Sequence, residues 1–298
     1  MKRSSSYSSL ARILVWLGAF GAIHLFIFSA GADEKLKPEQ LVARHLESIG
    51  SAEARASLHS RLIEGTSLLT VRQGGKGQVE GQVRMASQGN MNLISMGFGA
   101  GDYAGETFAF DGEELTTSHF RPGQRSRLAQ LLFFNDVIFK EGLIGGTLSA
   151  SWPLLNIAER NPKLEYAGTK KSGGRQLHML KYLPHKGSDT KITLFFDSET
   201  FQHVRTEYER DIVATSIERI APRVNLGGQG QRARDARIKI TEEFSNFKAE
   251  KGLTLPHTYK LELSVQSETL PTLTDWVFEL INFNFSQTFE AQQFVIKN

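Results

Sequence analysis

Hydrophobic and polar positions alternate along much of the chain with the period of two that is typical of β-strands. In Lys191–Asp197 the residues Ile192, Leu194 and Phe196 fall on one face, and mainly polar residues fall on the other. A second alternating run, Gln202–Ile212, follows after a short polar turn. Two such runs joined by a short turn predict an antiparallel hairpin with one buried face.

Similar runs recur along the chain, punctuated by Gly, Asn and Asp. They are Arg61–Val71, Gln78–Ala86, Met91–Gly97, Thr107–Phe110, Leu164–Thr169, Gln176–Leu183, Arg237–Phe247, His257–Gln266 and Thr274–Phe285. With the hairpin they raise the predicted number of strands to about eleven. The predicted fold class is mainly β (α+β), built on an antiparallel sheet that closes or curls.

Three segments depart from the strand pattern. Lys37–Ile49 has the spacing of an acidic amphipathic helix. Residues 125–155 carry apolar residues at helical spacing around a glycine-containing stretch, so we expect one or two helices laid across the sheet as a lid. Residues 222–237 are rich in Gly, Gln and Arg, which favours a mobile loop. A solvated loop is the simpler interpretation, although its arginines could make peripheral contact with a membrane.

The first 32 residues have the pattern of a signal peptide. Three basic residues accompany the apolar run Ile13–Phe28, and the small residues Ala30-Gly31-Ala32 follow it. The run is shorter than the roughly 20 residues that a membrane-spanning helix needs, which favours cleavage over an uncleaved anchor. We therefore expect cleavage between Ala32 and Asp33, a periplasmic or secreted location, and a single mature domain over residues 33–298.

Charge and cysteine content narrow the function. The chain has 35 Lys and Arg against 32 Asp and Glu, and three of the cations lie in the leader, so the mature domain is balanced. A balanced domain lacks the concentrated cationic surface that nucleic acids require, and we expect no nucleic-acid partner. The absence of cysteine excludes disulfides, thiolate metal sites and a lipidated N-terminal cysteine.

Catalytic motifs are absent from the sequence. The eight histidines are scattered, and no His-Glu-x-x-His pair or Gly-x-Ser-x-Gly elbow occurs. Glu207, Glu209 and Asp211 share a strand face, but the neighbouring Arg205 and the alternation favour a solvated face over a paired acid and base. We therefore expect no metal, no cofactor and no enzymatic activity, and an envelope hydrolase is the least favoured class.

Aromatic residues on the strands suggest a ligand inside the sheet. The chain has 20 Phe, and Thr107–Phe110 and Trp276–Phe285 are apolar on both faces. A strand that is apolar on both faces should be covered on both. Either the interior is a packed core, or part of the concave face is an apolar cavity that a lipid chain can enter.

The hairpin beginning Leu194–Thr200, together with the later stretch Phe244–His257, resembles the closing half of the outer-membrane lipoprotein-sorting proteins, the LolA and LolB superfamily. The opening is also similar, with a signal peptide, a helix containing Leu41–Leu46 and a first long strand that ends near Val71. The resemblance covers most of the mature chain. It implies an unclosed β-barrel, whose mouth is covered by helices and which encloses a hydrophobic cavity for acyl chains.

Carriers of this superfamily commonly show an Arg-Pro pair and then an Arg-Trp pair on the second and third strands, and one of these arginines helps to hold the lid shut. Arg84 is the match for that arginine here, and it is followed by Met85 in place of the proline. We interpret the sequence as a non-catalytic envelope carrier of lipid or lipoprotein acyl chains. The alternative is an envelope adaptor or structural protein with a packed barrel that binds a protein partner.

For the carrier, the predicted cavity walls combine the apolar face of the lid with inward aromatic residues of the sheet. These ligand-binding candidates are Leu131, Leu132, Ile138, Trp152, Phe108, Phe110 and Phe196.

Overall fold

The protein is described from a computed structural model, which covers residues 36–72, 76–100, 103–119, 123–212, 236–267, 272–285 and 287–297. The predicted signal peptide and nearly all of the predicted loop 222–237 lie outside the described residues. Leu36–Asn298 form one compact unit.

Twelve strands form a single antiparallel sheet. They are β1 Ser60–Arg72, β2 Lys76–Gln88, β3 Met91–Ala100, β4 Tyr103–Phe110, β5 Leu115–Thr117, β6 Lys163–Ser172, β7 Arg175–Leu183, β8 Lys191–Asp197, β9 His203–Ile212, β10 Ala236–Glu250, β11 Leu253–Ser267 and β12 Thr272–Asn284. Their order is β5-β4-β3-β2-β1-β12-β11-β10-β9-β8-β7-β6. The edge strands β5 and β6 do not pair with each other, so the sheet is not closed. The predicted fold class and all eleven predicted strands are confirmed, and β5 is additional.

The predicted β8–β9 hairpin has the expected alternation. Ile192 pairs with Tyr208 and Leu194 with Thr206, and all four side chains are buried on the same face. The alternation of Gln202–Ile212 places Val204 on the same face as Thr206, but Val204 packs with Leu177 and Phe195 on the other face. The reason is an irregularity in the pairing after Phe195, because a bulge reverses the direction of the side chain that it inserts.

The helices are short and lie mainly in two places. The helices α1 Pro38–Ile49 and α2 Ala52–Ser57 precede the sheet, and α1 begins with a proline at its first turn. The helices α3 Arg127–Phe134, α4 Val137–Lys140 and α5 Ile157–Arg160 come between β5 and β6, with 3₁₀ turns at Gly146–Leu148 and Pro153–Asn156. None of the helices among the described residues has the length and apolar character needed to cross a bilayer.

The sheet curls around residues 125–155, which we call the plug. A Cβ placed on Gly145 would lie 2.9 Å from Met85 Cε of β2, and one on Gly146 would lie 2.9 Å from Phe244 Cζ of β10. Three strands separate β2 from β10 in the sheet. The sheet is therefore strongly curved, and its concave face points at the plug. The segment expected to be a lid over a cavity is instead packed into the concave face.

The outer face is covered over only part of its area. Residues 287–297 run back over β2 to β5, where Phe294 is 1% exposed and packs with Ala86 and Ala109. This tail explains why β4 is buried on both faces, as predicted. The same prediction is wrong for β12, where Ile281 on the outer face is 62% exposed because no described element packs over it.

Candidate functional site

The structure brings the seven predicted cavity residues together. Phe108, Phe110 and Phe196 lie on the concave face, and the plug residues Leu132, Ile138 and Trp152 pack into the same core cluster, with Leu131 partly buried against it. Their proximity is therefore as predicted, and their role in ligand binding stays a prediction. The six fully packed members are at most 4% exposed, so their side chains fill the volume that was expected to be a cavity.

Little free volume remains where the plug meets the concave face of β2 and β3. A cavity of about 10 Å³ lies there, lined in part by Ser87, Asn92, Ile144 and Leu148. A single water molecule needs about this much space. An acyl chain can therefore occupy this part of the concave face only after the plug has moved.

Arg61 is the most unusual residue beneath the plug. It lies at the start of β1, it is 1% exposed, and its Nη1 atom donates to the backbone carbonyls of Thr147 and of Ser149, the latter at 3.2 Å. Its Nε atom has no hydrogen-bond partner. Burial lowers the pKa of the Arg61 guanidinium to about 10, so the group remains charged at neutral pH.

Two polar side chains beside Arg61 also bind the plug. The backbone N–H of Ala150 donates to Ser87 Oγ at 2.8 Å. The Asn92 amide nitrogen donates to the Phe139 carbonyl and to Ser151 Oγ, each at 3.3 Å. The plug is thus fixed to β1, β2 and β3 by polar contacts as well as by apolar packing.

Glu242 holds the middle of the plug from the opposite side of the barrel. It lies on β10 and is fully buried, and its carboxylate accepts hydrogen bonds from the hydroxyls of Tyr208 and Tyr259 and from the backbone N–H of Gly145, each at 2.7 Å. Burial raises the pKa of the Glu242 carboxyl to about 7, because the charged form loses its hydration and these three donors compensate only in part.

The C-terminal end of the plug is held by a ring cluster around Trp152. The indole N–H of Trp152 donates to His45 Nε2 at 3.1 Å, and His45 Nδ1 donates to the Phe201 carbonyl at 3.1 Å, so this histidine is neutral. Burial lowers the pKa of His45 to about 4. The His203 ring stacks on Trp152 with centroids 4.6 Å apart, and its Nδ1 atom has no partner.

The N-terminal end of the plug is held by a second buried acid. Glu106 on β4 is 3% exposed and accepts hydrogen bonds from the hydroxyls of Tyr103 and of Ser126, the residue that caps α3. Burial raises the pKa of the Glu106 carboxyl. The plug is therefore anchored near both ends and in its middle.

Sequence reasoning missed three buried charged residues that contact the plug, Arg61, Glu106 and Glu242. The alternation of apolar and polar residues along the strands could have identified these three residues, because each one lies on the same strand face as strongly apolar neighbours. Glu242, for example, stands between Ile240 and Phe244 at inward positions of β10. A charged residue at an inward position indicates a specific buried partner.

Arg84 does not hold the plug, contrary to the assignment made by resemblance. Its side chain is 63% exposed on the outer face of β2 and forms an ion pair with Glu64 at 2.8 Å. The pair lies beside an outer groove of about 410 Å³, whose lining includes Gln82, Ser95 and Ile281. The side-chain alternation of β2 explains the difference, because neighbouring Met85 takes the inward direction.

The described residues contain no group of three or more His, Cys, Asp or Glu side chains placed to hold a metal ion. The class of structure is an unclosed antiparallel β-barrel that curls around an internal segment of its own chain. No protein-family profile matches the sequence, and no curated protein does.

Solved structures are similar to this chain over most of their length. A LolA superfamily protein from Nitrosomonas europaea is 8% identical with a TM-score of 0.44, over 87% of this chain and 97% of that protein. A putative outer membrane lipoprotein-sorting protein domain from Vibrio parahaemolyticus is 13% identical with a TM-score of 0.46, over 86% and 96%. A DUF1329 family protein from Desulfovibrio piger is 8% identical with a TM-score of 0.41, over 86% and 96%.

Proposed function

We propose that this protein is a periplasmic or secreted, non-catalytic carrier of acyl chains, and that the plug is displaced when a chain binds. The observation that carries the proposal is the way in which the plug is attached. It covers an apolar concave face, yet buried charged residues, Arg61 and Glu242, bind its backbone. Well-packed apolar residues often stabilise a permanent core as well as buried charges do. Directional polar contacts define one bound position for a segment, so they are expected where a segment leaves and then returns to the same place.

Displacement is energetically reasonable because one apolar surface replaces another. Each acyl methylene that leaves water contributes about 0.8 kcal/mol, so a bound segment of about ten methylenes contributes about 8 kcal/mol before the cost of ordering the chain. This gain offsets the loss of burial of about three to five large apolar side chains of the plug, at about 1.5–3 kcal/mol each. Release of the ligand then requires the plug to return, or a partner protein that takes the acyl chain.

The absence of cysteine allows a direct test with a single introduced thiol. Leu148 in the plug and Ala109 beneath the C-terminal tail are 1% and 0% exposed. We expect Leu148→Cys to react with a thiol reagent much faster after palmitate is added. Ala109→Cys is the matched control, because its cover is the tail, and its reaction rate should not change. Equal rates for Leu148→Cys with and without palmitate would contradict plug displacement.

The second candidate function is an envelope adaptor with a packed barrel that binds a protein partner. The specific observation in its favour is the small free volume, about 10 Å³, where the plug meets the concave face of β2 and β3. Native mass spectrometry of protein purified from its own envelope, followed by lipid extraction, distinguishes the two functions. A carrier is expected to retain lipid or to take up a fluorescent fatty acid. If wild-type protein does neither, the adaptor replaces the carrier.

A further inference from the structure

Three polar side chains form a row across the concave face. Arg61 on β1 pairs in register with Ser87 on β2, and Ser87 pairs in register with Asn92 on β3. Their exposures are 1%, 3% and 4%, so all three point inward beneath the plug. The row lies next to the β2–β3 turn, at the end of the strands and therefore at the rim of the barrel.

The row presents donors to oxygen atoms of the plug. Arg61 donates to the carbonyls of Thr147 and Ser149, and Asn92 donates to a carbonyl and a hydroxyl. The Ser87 hydroxyl accepts one bond and still has a proton to donate. The plug oxygens thus stand where the oxygens of another hydrogen-bond acceptor can bind once the plug leaves.

The charge of the row is not balanced. Among the described residues no carboxylate forms an ion pair with Arg61, and burial is the only influence that lowers its pKa. Its Nε–H also has no acceptor. Carbonyl dipoles of the plug compensate a buried guanidinium less well than an anion does, because a carbonyl oxygen carries only a partial charge and the attraction between two full opposite charges is stronger in a low-dielectric interior.

Apolar surface begins immediately beyond the row. Ile63, Met85, Ile94 and Phe108 occupy the next inward positions of β1 to β4, and they pair in register with one another. Their exposures are between 0% and 6%. Two residues along a strand span about 6.5 Å, so a polar rim and an apolar wall lie within the length of a short amphiphile.

We propose that the row Arg61–Ser87–Asn92 is a head-group site, which binds the anionic end of an acyl ligand while its chain lies on the apolar wall. The anion takes the places of the Thr147 and Ser149 carbonyls at the guanidinium. This inference rests on the proposed carrier function and adds the ligand class, an acyl chain with a carboxylate or phosphate head. Ligand binding and plug release are then coupled, because the same donors bind either the oxygens of the plug or the head group of the ligand.

The test compares two probes with the same chain and different heads, dodecanoate and dodecanol, at pH 7.5 and below their aggregation concentrations. We expect wild-type protein to bind dodecanoate at least about tenfold more tightly than dodecanol, since a charge-assisted bond is worth that factor. Inorganic phosphate and acetate serve as free anions without a chain. Neither should displace dodecanoate at millimolar concentration.

Two arginine variants make the comparison specific. Arg61→Met should reduce the preference for dodecanoate to about twofold or less while it still binds dodecanol, because only the charged donor is lost. Arg84→Met is the matched control, since Arg84 is on the outer face of the adjacent strand. It should keep the wild-type preference. If Arg61→Met does not fold, Ser87→Ala replaces it and should lower the preference about threefold.

The outcomes separate this inference from the carrier function. Equal binding of dodecanoate and dodecanol by wild-type protein would overturn the head-group site and leave the carrier intact. Unchanged preference in Arg61→Met, or in Ser87→Ala where that variant is used, would overturn the site as well. Displacement of dodecanoate by phosphate or acetate alone would show a free-anion site instead. Failure to bind either probe would refute the carrier function itself, and the head-group site with it.

Discussion

Replacing Glu242 with glutamine is expected to change how the stability of the protein depends on pH. The Glu242 carboxyl has an ordinary pKa of 4.5 and a pKa of about 7 in the folded protein, because burial disfavours its charge. The folded protein therefore holds this proton more tightly than the unfolded chain does. This difference in pKa stabilises the folded protein. The stabilisation is fully present below pH 4.5 and is lost as the pH rises through 7.

The size of the effect follows from the difference between the two pKa values. At about 1.4 kcal/mol per pH unit, the wild-type protein loses about 3 kcal/mol of unfolding free energy from this group between pH 4.5 and pH 7.5. Glutamine cannot ionise, and its amide keeps one oxygen for the Tyr259 hydroxyl and the Gly145 N–H. The Tyr208 hydroxyl can turn to accept from the amide N–H.

His45 changes the stability with pH in the opposite direction, so its effect has to be distinguished from that of Glu242. Its folded pKa of about 4 lies below its ordinary value of 6.5, so its contribution is present above pH 6.5 and is lost as the pH falls through 4. Buried His203 has a lowered pKa for the same reason. Both histidines remain in Glu242→Gln, so the difference between the two proteins isolates the carboxyl.

Urea unfolding at pH 5, 6, 7 and 8 measures this difference. Between pH 8 and pH 5 the Glu242 carboxyl should add about 2.5 kcal/mol to the unfolding free energy of wild type, and Glu242→Gln should lack this gain. Glu243→Gln is the matched control, because Glu243 is the next residue on the outer face and pairs with Arg205 at 3.0 Å. Parallel stability curves for wild type and Glu242→Gln would refute a raised pKa at this position.

Three further predictions concern the plug and the leader. Gly146→Ala should destabilise the protein by about 2 kcal/mol or more, because φ is +51° and the added Cβ would lie 2.8 Å and 2.9 Å from two buried rings. Gly168→Ala is the control and should cost less, because Gly168 has φ +86° but lies in open space. Thermal unfolding compares the two variants. Trp152→Phe should cost about 2 kcal/mol in urea unfolding, because it leaves His45 Nε2 without its donor. Intact mass of protein from its own envelope should match a chain that begins at Asp33, and a retained leader would contradict this.

The strands were predictable because their signal is local. Alternation along β8 and β9 identified which residues share a face, and antiparallel pairing of consecutive strands followed from the short turns between them. β5 was missed because Leu115–Thr117 has three residues, too few for a period of two to be recognised. The bulge that turns Val204 outward was missed because it depends on pairing with β8.

The candidate site was predictable only in part. Phe108, Phe196 and Trp152 were correctly grouped, because large apolar residues at regular positions must share a core. Arg61 and Glu242 were not, although both break an inward apolar pattern. Their partners are backbone atoms of the plug, 86 and 97 residues away in the sequence for Thr147 and Gly145, and no local rule connects such positions.

The sequence by itself determined an antiparallel sheet, a helical interruption within it and the faces of its strands, because these depend on neighbouring residues and on the geometry of one strand. Only the tertiary structure decided that the interruption fills the concave face and that buried charges hold it there. Whether a curled sheet is open or filled depends on how side chains from β2, β9 and β10 fit against one distant segment. That fit is a matter of shape and hydrogen-bond geometry in three dimensions, which a hydrophobic pattern does not contain.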